Sequence, residues 1–147
     1  MKNPEYTLVI PGRAYSAQAS KTSRARYQAE IRRIAAQHIS TPLRQDNLYI
    51  KVDYFYLPEH KVEGDNLLKP IRDALKGIAY VDDGQITDSR AFEHNRASSV
   101  TIEPPIPGNF DDLFLKHEEF VIVTIGVRRM LFMKSNIQMV ECGEDSS

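Results

Sequence analysis

The sequence predicts a small α+β domain, with helices packed on one mixed sheet of about four strands in the order β-α-β-α-β-β. Three observations support this. Runs rich in β-branched and aromatic residues occur at positions 6–10, 48–57, 86–94 and 119–127. Between them, two stretches place apolar residues at steps of three and four, the period of a helix with one buried face. A chain of 147 residues with 41% hydrophobic content supports one domain with a core of its own.

Taken in order, Tyr6 to Ile10 form a first strand, ended by Pro11-Gly12. Residues 13–21 are polar and rich in Ser and Ala, and read as a loop. Thr22 or Ser23 is expected to cap a helix running to about His38, with Tyr27, Ile31, Ile34 and Ala35 inward and Arg24, Arg32 and Arg33 outward. His38 suits the negative end of that helix better than a ligand role. Residues 48–57 are the clearest strand, with Leu48, Ile50, Val52 and Phe55 alternating imperfectly with polar positions. Residues 58–62 are a turn that delivers the chain to Glu63. Residues 86–94 form a further strand, on which Arg90 either reaches a phosphate or pairs with Asp88. Residues 97–117, with Pro104, Pro105, Pro107 and Gly108, read as a long loop. The run at 119–127 reads as a strand buried on both faces. Residues 128–140 are a strand extension or a partner patch around Met130, Leu131, Phe132 and Met133, and the domain is expected to span 1–140. Residues 141–147 are expected to be a disordered acidic tail.

Chemistry concentrates in residues 63–86. Carboxylates stand at Glu63, Asp65, Asp73, Asp82 and Asp83, with Asn66 and Lys69 among them. Leu68, Ile71, Leu75 and Ile78 mark a buried helical face, while Asp65, Lys69 and Asp73 step by four and share a wet one. Gly77 supplies the helix stop, and Asp82-Asp83-Gly84 a turn in which Gly takes positive φ cheaply. Pro70 opposes a regular helix through Lys69, so the helix either starts at Pro70 or bends there. Crowded carboxylates repel, and a divalent cation removes that penalty. An all-oxygen set suits Mg²⁺ or Mn²⁺. The alternative is a solvated acidic face with an ordinary Asp-Gly turn.

The order of these residues decides between the two. Asp65-Asn66-Leu67-Leu68-Lys69, then Asp73-Ala74-Leu75 and Gly77, then Asp82-Asp83 ahead of Gln85-Ile86 resembles the hallmark of the RusA family of Holliday-junction resolvases. The strong part of the likeness spans about two dozen residues and a weaker part most of 5–96. It implies a metal-dependent endodeoxyribonuclease that resolves four-way DNA junctions as a homodimer. By position it implies Glu63, Asp65 and Asp83 as metal ligands and Lys69 as the catalytic cation. Glu63 stands where the family more often has Asp and is one methylene longer. Asp73, Asp82 and Asn66 are expected to orient these groups from outside. The divalent metal is the only cofactor expected.

Charge and composition bound the rest. Net charge is −1, yet Arg13, Lys21, Arg24, Arg26, Arg32, Arg33 and Arg44 face a single acid, Glu30, between residues 11 and 44. Such a local basic face, with Arg90, is what DNA phosphates require, or else it is a solvated helix side. The one cysteine, Cys142, excludes an internal disulfide and gives no thiolate metal pattern. The start of the chain does not read as a signal peptide, and the longest apolar run is too short to span a bilayer, so a cytoplasmic protein is expected. Two rival functions remain open: a nucleic-acid-binding module with a degenerate site, and a metal-dependent hydrolase of some other phosphoester.

Overall fold

The computed structural model describes residues 5–128, 130–133 and 139–142. Its elements are β1 (Glu5–Pro11), α1 (Lys21–His38), β2 (Leu48–Tyr56), α2 (Gly64–Leu75), β3 (Ile86–Asn95), α3 (Phe110–Lys116) and β4 (Phe120–Val127), then a hairpin of β5 (Met130–Met133) and β6 (Met139–Cys142). The first four strands make one mixed sheet in the order β1-β4-β2-β3. β4 runs antiparallel to both β1 and β2, while β2 and β3 are parallel and joined by α2. The expected α+β architecture is therefore the observed one.

Alternation along the strands divides the core in two. Leu8, Ile10, Leu48, Ile50, Val52, Tyr54, Val121, Val123 and Ile125 turn to α1 and α2, where Ile31, Ile34, Leu67, Ile71 and Leu75 cover them. The opposite face carries Phe55, Phe120 and Ile122 beneath Leu113, Phe110 and Phe114. The inward residues expected of α1 are its buried ones: Tyr27, Ile31, Ile34 and Ala35. β4 is buried on both faces because α3 and the segment before it roof the second face.

Several local expectations change. Ser20 caps α1, its Oγ accepting from the Ser23 N–H at 3.2 Å, so Thr22 and Ser23 lie inside the first turn. In β2 it is Tyr54, not Phe55, that continues the Leu48-Ile50-Val52 face, and Phe55 stacks on Phe120 across the sheet. The apparent imperfection came from Phe55, which lies on the second face with Lys51 and Asp53, and these two are buried, not wet. Residues 97–117 are not all loop, because Phe110 to Lys116 form α3, and Arg96 donates to the carbonyls of Phe114 within it and of His117 and Glu118 just after it. Gly84 does not take positive φ; the turn it belongs to is a 3₁₀ turn from Asp83 to Gln85. Gly77 does, at 88°, and ends α2 as expected. β6 takes in Glu141 and Cys142, the first two residues of the expected tail, while 143–147 lie outside the described residues. The 130–133 cluster is a hairpin strand paired to 139–142, not an extension of β4.

α2 is continuous through Pro70. A proline there removes the N–H that would bond to the carbonyl of Asn66. That carbonyl instead accepts from the Ala17 N–H at 2.9 Å, supplied by the loop before α1. Two α1 side chains one turn apart fasten the same helix: Gln28 Nε2 donates to Pro70 O at 3.0 Å and Arg32 Nε to Ala74 O at 3.2 Å.

Candidate active site

The β2-α2-β3 crossover places the acidic motif on one wall. Asp65, Lys69 and Asp73 rise along the exposed side of α2, one turn apart, as their spacing predicts. With Leu68, Arg72, Asp83 and Ser89 they line a cleft of about 420 Å³. Lys69 Nζ lies 3.7 Å from Asp73 Oδ2, a contact between two well-exposed side chains. Arg72 Nη1 donates to Ser89 Oγ at 3.1 Å, which ties the helix to β3.

Asp83 is held in place by its neighbours. Asp82 precedes the 3₁₀ turn and accepts from the Gly84 N–H at 3.1 Å, which lowers its pKa; Lys76, 3.6 Å away, adds to the effect. Gln85 uses its whole amide to tie the same turn to the segment before β2. Its Oε1 accepts from the N–H groups of Val81 and Asp82, each at 2.8 Å, and its Nε2 donates to Leu43 O and Gln45 O, each at 2.9 Å. The Tyr80 hydroxyl donates to Arg72 O, and burial beside Asp83 pushes its pKa well above the usual range. Asp83 Oδ1 is itself buried and has no hydrogen-bond partner. An orphaned carboxylate oxygen in a cleft with two more carboxylates is expensive unless a cation meets it.

The other expected site residues lie apart. Glu63 precedes α2, outside the cleft lining, with its carboxylate 2.8 Å from Lys61 Nζ. Lys61 lowers its pKa, first through that hydrogen bond. Asn66 is exposed, and its tie to the fold is the carbonyl that Ala17 satisfies. Among the described residues no group of three or more Asp, Glu, His or Cys side chains is placed to hold a metal ion.

The basic residues divide into used and unused. Arg24 donates to the carbonyls of Ala17 and Ala19, Arg32 to α2, and Arg33 pairs with Glu30 at 2.6 Å. Arg90 pairs with Asp88 at 3.2 Å. Arg13 lies over the Tyr15 ring at 4.4 Å and shares a shallow groove with Arg26. Lys21 and Arg26 are exposed on the first turns of α1.

The family model described as endodeoxyribonuclease RusA matches residues 3–103, more than two thirds of the chain. The chain belongs to the RusA family. It is accordingly an endodeoxyribonuclease of a family of Holliday-junction resolvases. No curated protein gives a significant match. The RusA match covers β1 through β3, hence every residue lining the cleft, while α3 and β4 lie beyond it. Sequence reading missed Arg72 and Ser89. Arg72 follows Asp65 by seven residues, two helical turns, and that spacing was the available signal.

Proposed function

We propose that this RusA-family nuclease resolves four-way DNA junctions by paired, divalent-metal-dependent nicks, acting as a homodimer. The observation that supports it is the cleft in which Asp65, Lys69, Asp73 and Asp83 of the family motif meet, with one Asp83 oxygen unpaired.

The residues fit a hard cation. Mg²⁺ commonly binds through one or two carboxylates plus water and substrate phosphate, so an incomplete carboxylate set is the usual arrangement. Asp65 and Asp83 would hold the ion, and Glu63 would join them by giving up Lys61. The Glu63 and Lys61 side chains are both well exposed, so solvent screens their pairing and the exchange gives up little. When bound, the metal supplies a water of lowered pKa and offsets charge on the scissile phosphate. Lys69 stabilises the added negative charge as the phosphate is attacked, and Asp73 steadies the ammonium between turnovers. Asp82 and Gln85 keep the Asp83 turn from relaxing. The second subunit supplies the second cut, since one cleft nicks one strand at a time and the junction has two-fold symmetry.

A synthetic four-way junction and a linear duplex of equal length provide the test. With Mg²⁺ or Mn²⁺ the junction should be nicked and the duplex spared, EDTA should stop the reaction, and light scattering should give twice the chain mass. Asp65→Asn and Asp83→Asn should lose cleavage but keep junction binding in Ca²⁺, because removing a negative charge eases approach of a phosphate. Cleavage that survives EDTA, or both variants cutting at the wild-type rate, would sink the reading.

A further inference from the structure

The two cations of the cleft are treated differently. Lys69 has Asp73 within 4 Å, whereas among the described residues no carboxylate lies at ion-pair distance from Arg72. Yet Arg72 is half-buried and Asp65, Asp73 and Asp83 line the same cleft. The side-chain groups it meets are neutral: Nη1 donates to Ser89 Oγ at 3.1 Å, and the Tyr80 hydroxyl lies beside it. Its backbone is pinned as well, since its carbonyl accepts both the Tyr80 hydroxyl and the Lys76 N–H. The guanidinium is thus oriented from behind by neutral groups, with no carboxylate at ion-pair distance among the described residues.

A planar fork of this kind matches two phosphate oxygens at once, which an ammonium does not. It also offsets a local imbalance, because the cleft sets three carboxylates against two cations and would otherwise repel a DNA strand. Arg72 stands three residues past Lys69, about 4.5 Å further along the helix axis. We propose that Arg72, positioned by Ser89, anchors the backbone phosphate next to the one being cut, and so sets the register of the strand in the cleft. This rests on the junction-cleaving function above. Arg72 is the binding group, and Ser89 is a positioning residue that acts through it.

The experiment compares Arg72→Met, Arg72→Lys and Ser89→Ala with the wild type on the four-way junction. It measures kcat and KM with Mg²⁺, the salt dependence of binding in Ca²⁺, and thermal unfolding. Arg72→Met keeps the apolar stem, and should raise KM about tenfold, the loss of a bidentate contact, with kcat within about threefold. It should also lower the slope of log affinity against log salt by about one unit. Arg72→Lys should recover the slope but not the KM. Ser89→Ala should raise KM by a smaller factor and leave the slope alone, because the charge is still present. A folded Arg72→Met enzyme with wild-type KM and slope overturns the proposal. So does a lowered unfolding temperature as the only change, which would make the Arg72–Ser89 bond a structural tie. If Arg72→Met does not fold, Arg72→Lys decides, since wild-type KM in that variant rules out a fork-specific contact. A wild type that does not cut the junction defeats the functional reading instead, and the salt slopes still report on Arg72.

Discussion

At the scale of single residues, the largest departure from a simple reading is a charged cluster inside the sheet face away from the cleft. Lys51 and Asp53 are 5% and 0% exposed, and their charged atoms are 2.6 Å apart. His94 Nε2 meets the other Asp53 oxygen at 2.8 Å, and Lys51 also donates to Glu103 O at 2.7 Å. Every oxygen of Asp53 is thus spent, and the segment around Glu103 is drawn onto the sheet. A buried pair of this kind contributes little net stability, but removing one partner strands the other charge. Asp53→Ala should therefore cost about 3–5 kcal/mol in urea unfolding, and the double change Asp53→Leu with Lys51→Met should recover a good part of it. A loss below about 1 kcal/mol for Asp53→Ala would show that the cluster admits water. Alternation placed these residues on one face, but only the roof contributed by α3 and its approach segment made that face an interior.

At the scale of elements, α1 carries two jobs that its sequence does not separate. Arg24, Arg32 and Arg33 looked like a DNA-facing row, yet Arg24 and Arg32 donate to backbone carbonyls and Arg33 to Glu30. Lys21 and Arg26 remain exposed, close to the loop that bonds α2 beside Asp65 through Ala17 and Asn66. Lys21→Gln and Arg26→Gln should each lower the salt slope of junction binding by about one unit. Arg32→Gln and Arg33→Gln should leave the slope unchanged, and Arg32→Gln should loosen α1 on α2. An equal effect from all four would return the whole helix face to the DNA. The basic count of α1 was legible at once, but the partners of each arginine lie up to 42 residues away in the chain and are set by packing.

At the scale of the whole molecule, several tyrosines turn inward and set an alkaline limit. Burial raises the pKa of Tyr27, Tyr49 and Tyr80, and pushes Tyr54 up to about 12 from its ordinary 10.0. Tyr54 donates to His60 O at 2.7 Å, a bond that needs the proton. Its folded pKa lies above its unfolded one, so above pH 10 the unfolded chain binds fewer protons and stability falls with rising pH. The contribution is complete below about pH 10 and lost as pH passes through about 12. Urea midpoints at neutral pH and at about pH 11 should show that fall, and Tyr54→Phe should shallow it while costing about 1 kcal/mol at neutral pH. A pH dependence unchanged in Tyr54→Phe would assign the alkaline loss to other groups.

By itself the sequence determined the four strands of the main sheet and the two helices between the first three, the buried face of α1, the shared face of Asp65, Lys69 and Asp73, and the family, because each depends on spacing within one stretch. Helical and strand periods are local, and so is a motif of two dozen residues. It also raised the right question at Pro70 without an answer, since the group that replaces the missing N–H comes from Ala17, far back in the chain. Tertiary structure decided the remainder. It bent the Asp82-Asp83 turn into the cleft through the four hydrogen bonds of Gln85, and left Glu63 on Lys61. It also brought Ser89 of β3 against Arg72 of α2 and roofed the second sheet face with α3. The bonds of Gln85 to Leu43 and Gln45, the Arg72–Ser89 contact and the α3 roof depend on which distant donor, acceptor or apolar surface the fold brings within reach, and no pattern along the chain encodes that distance.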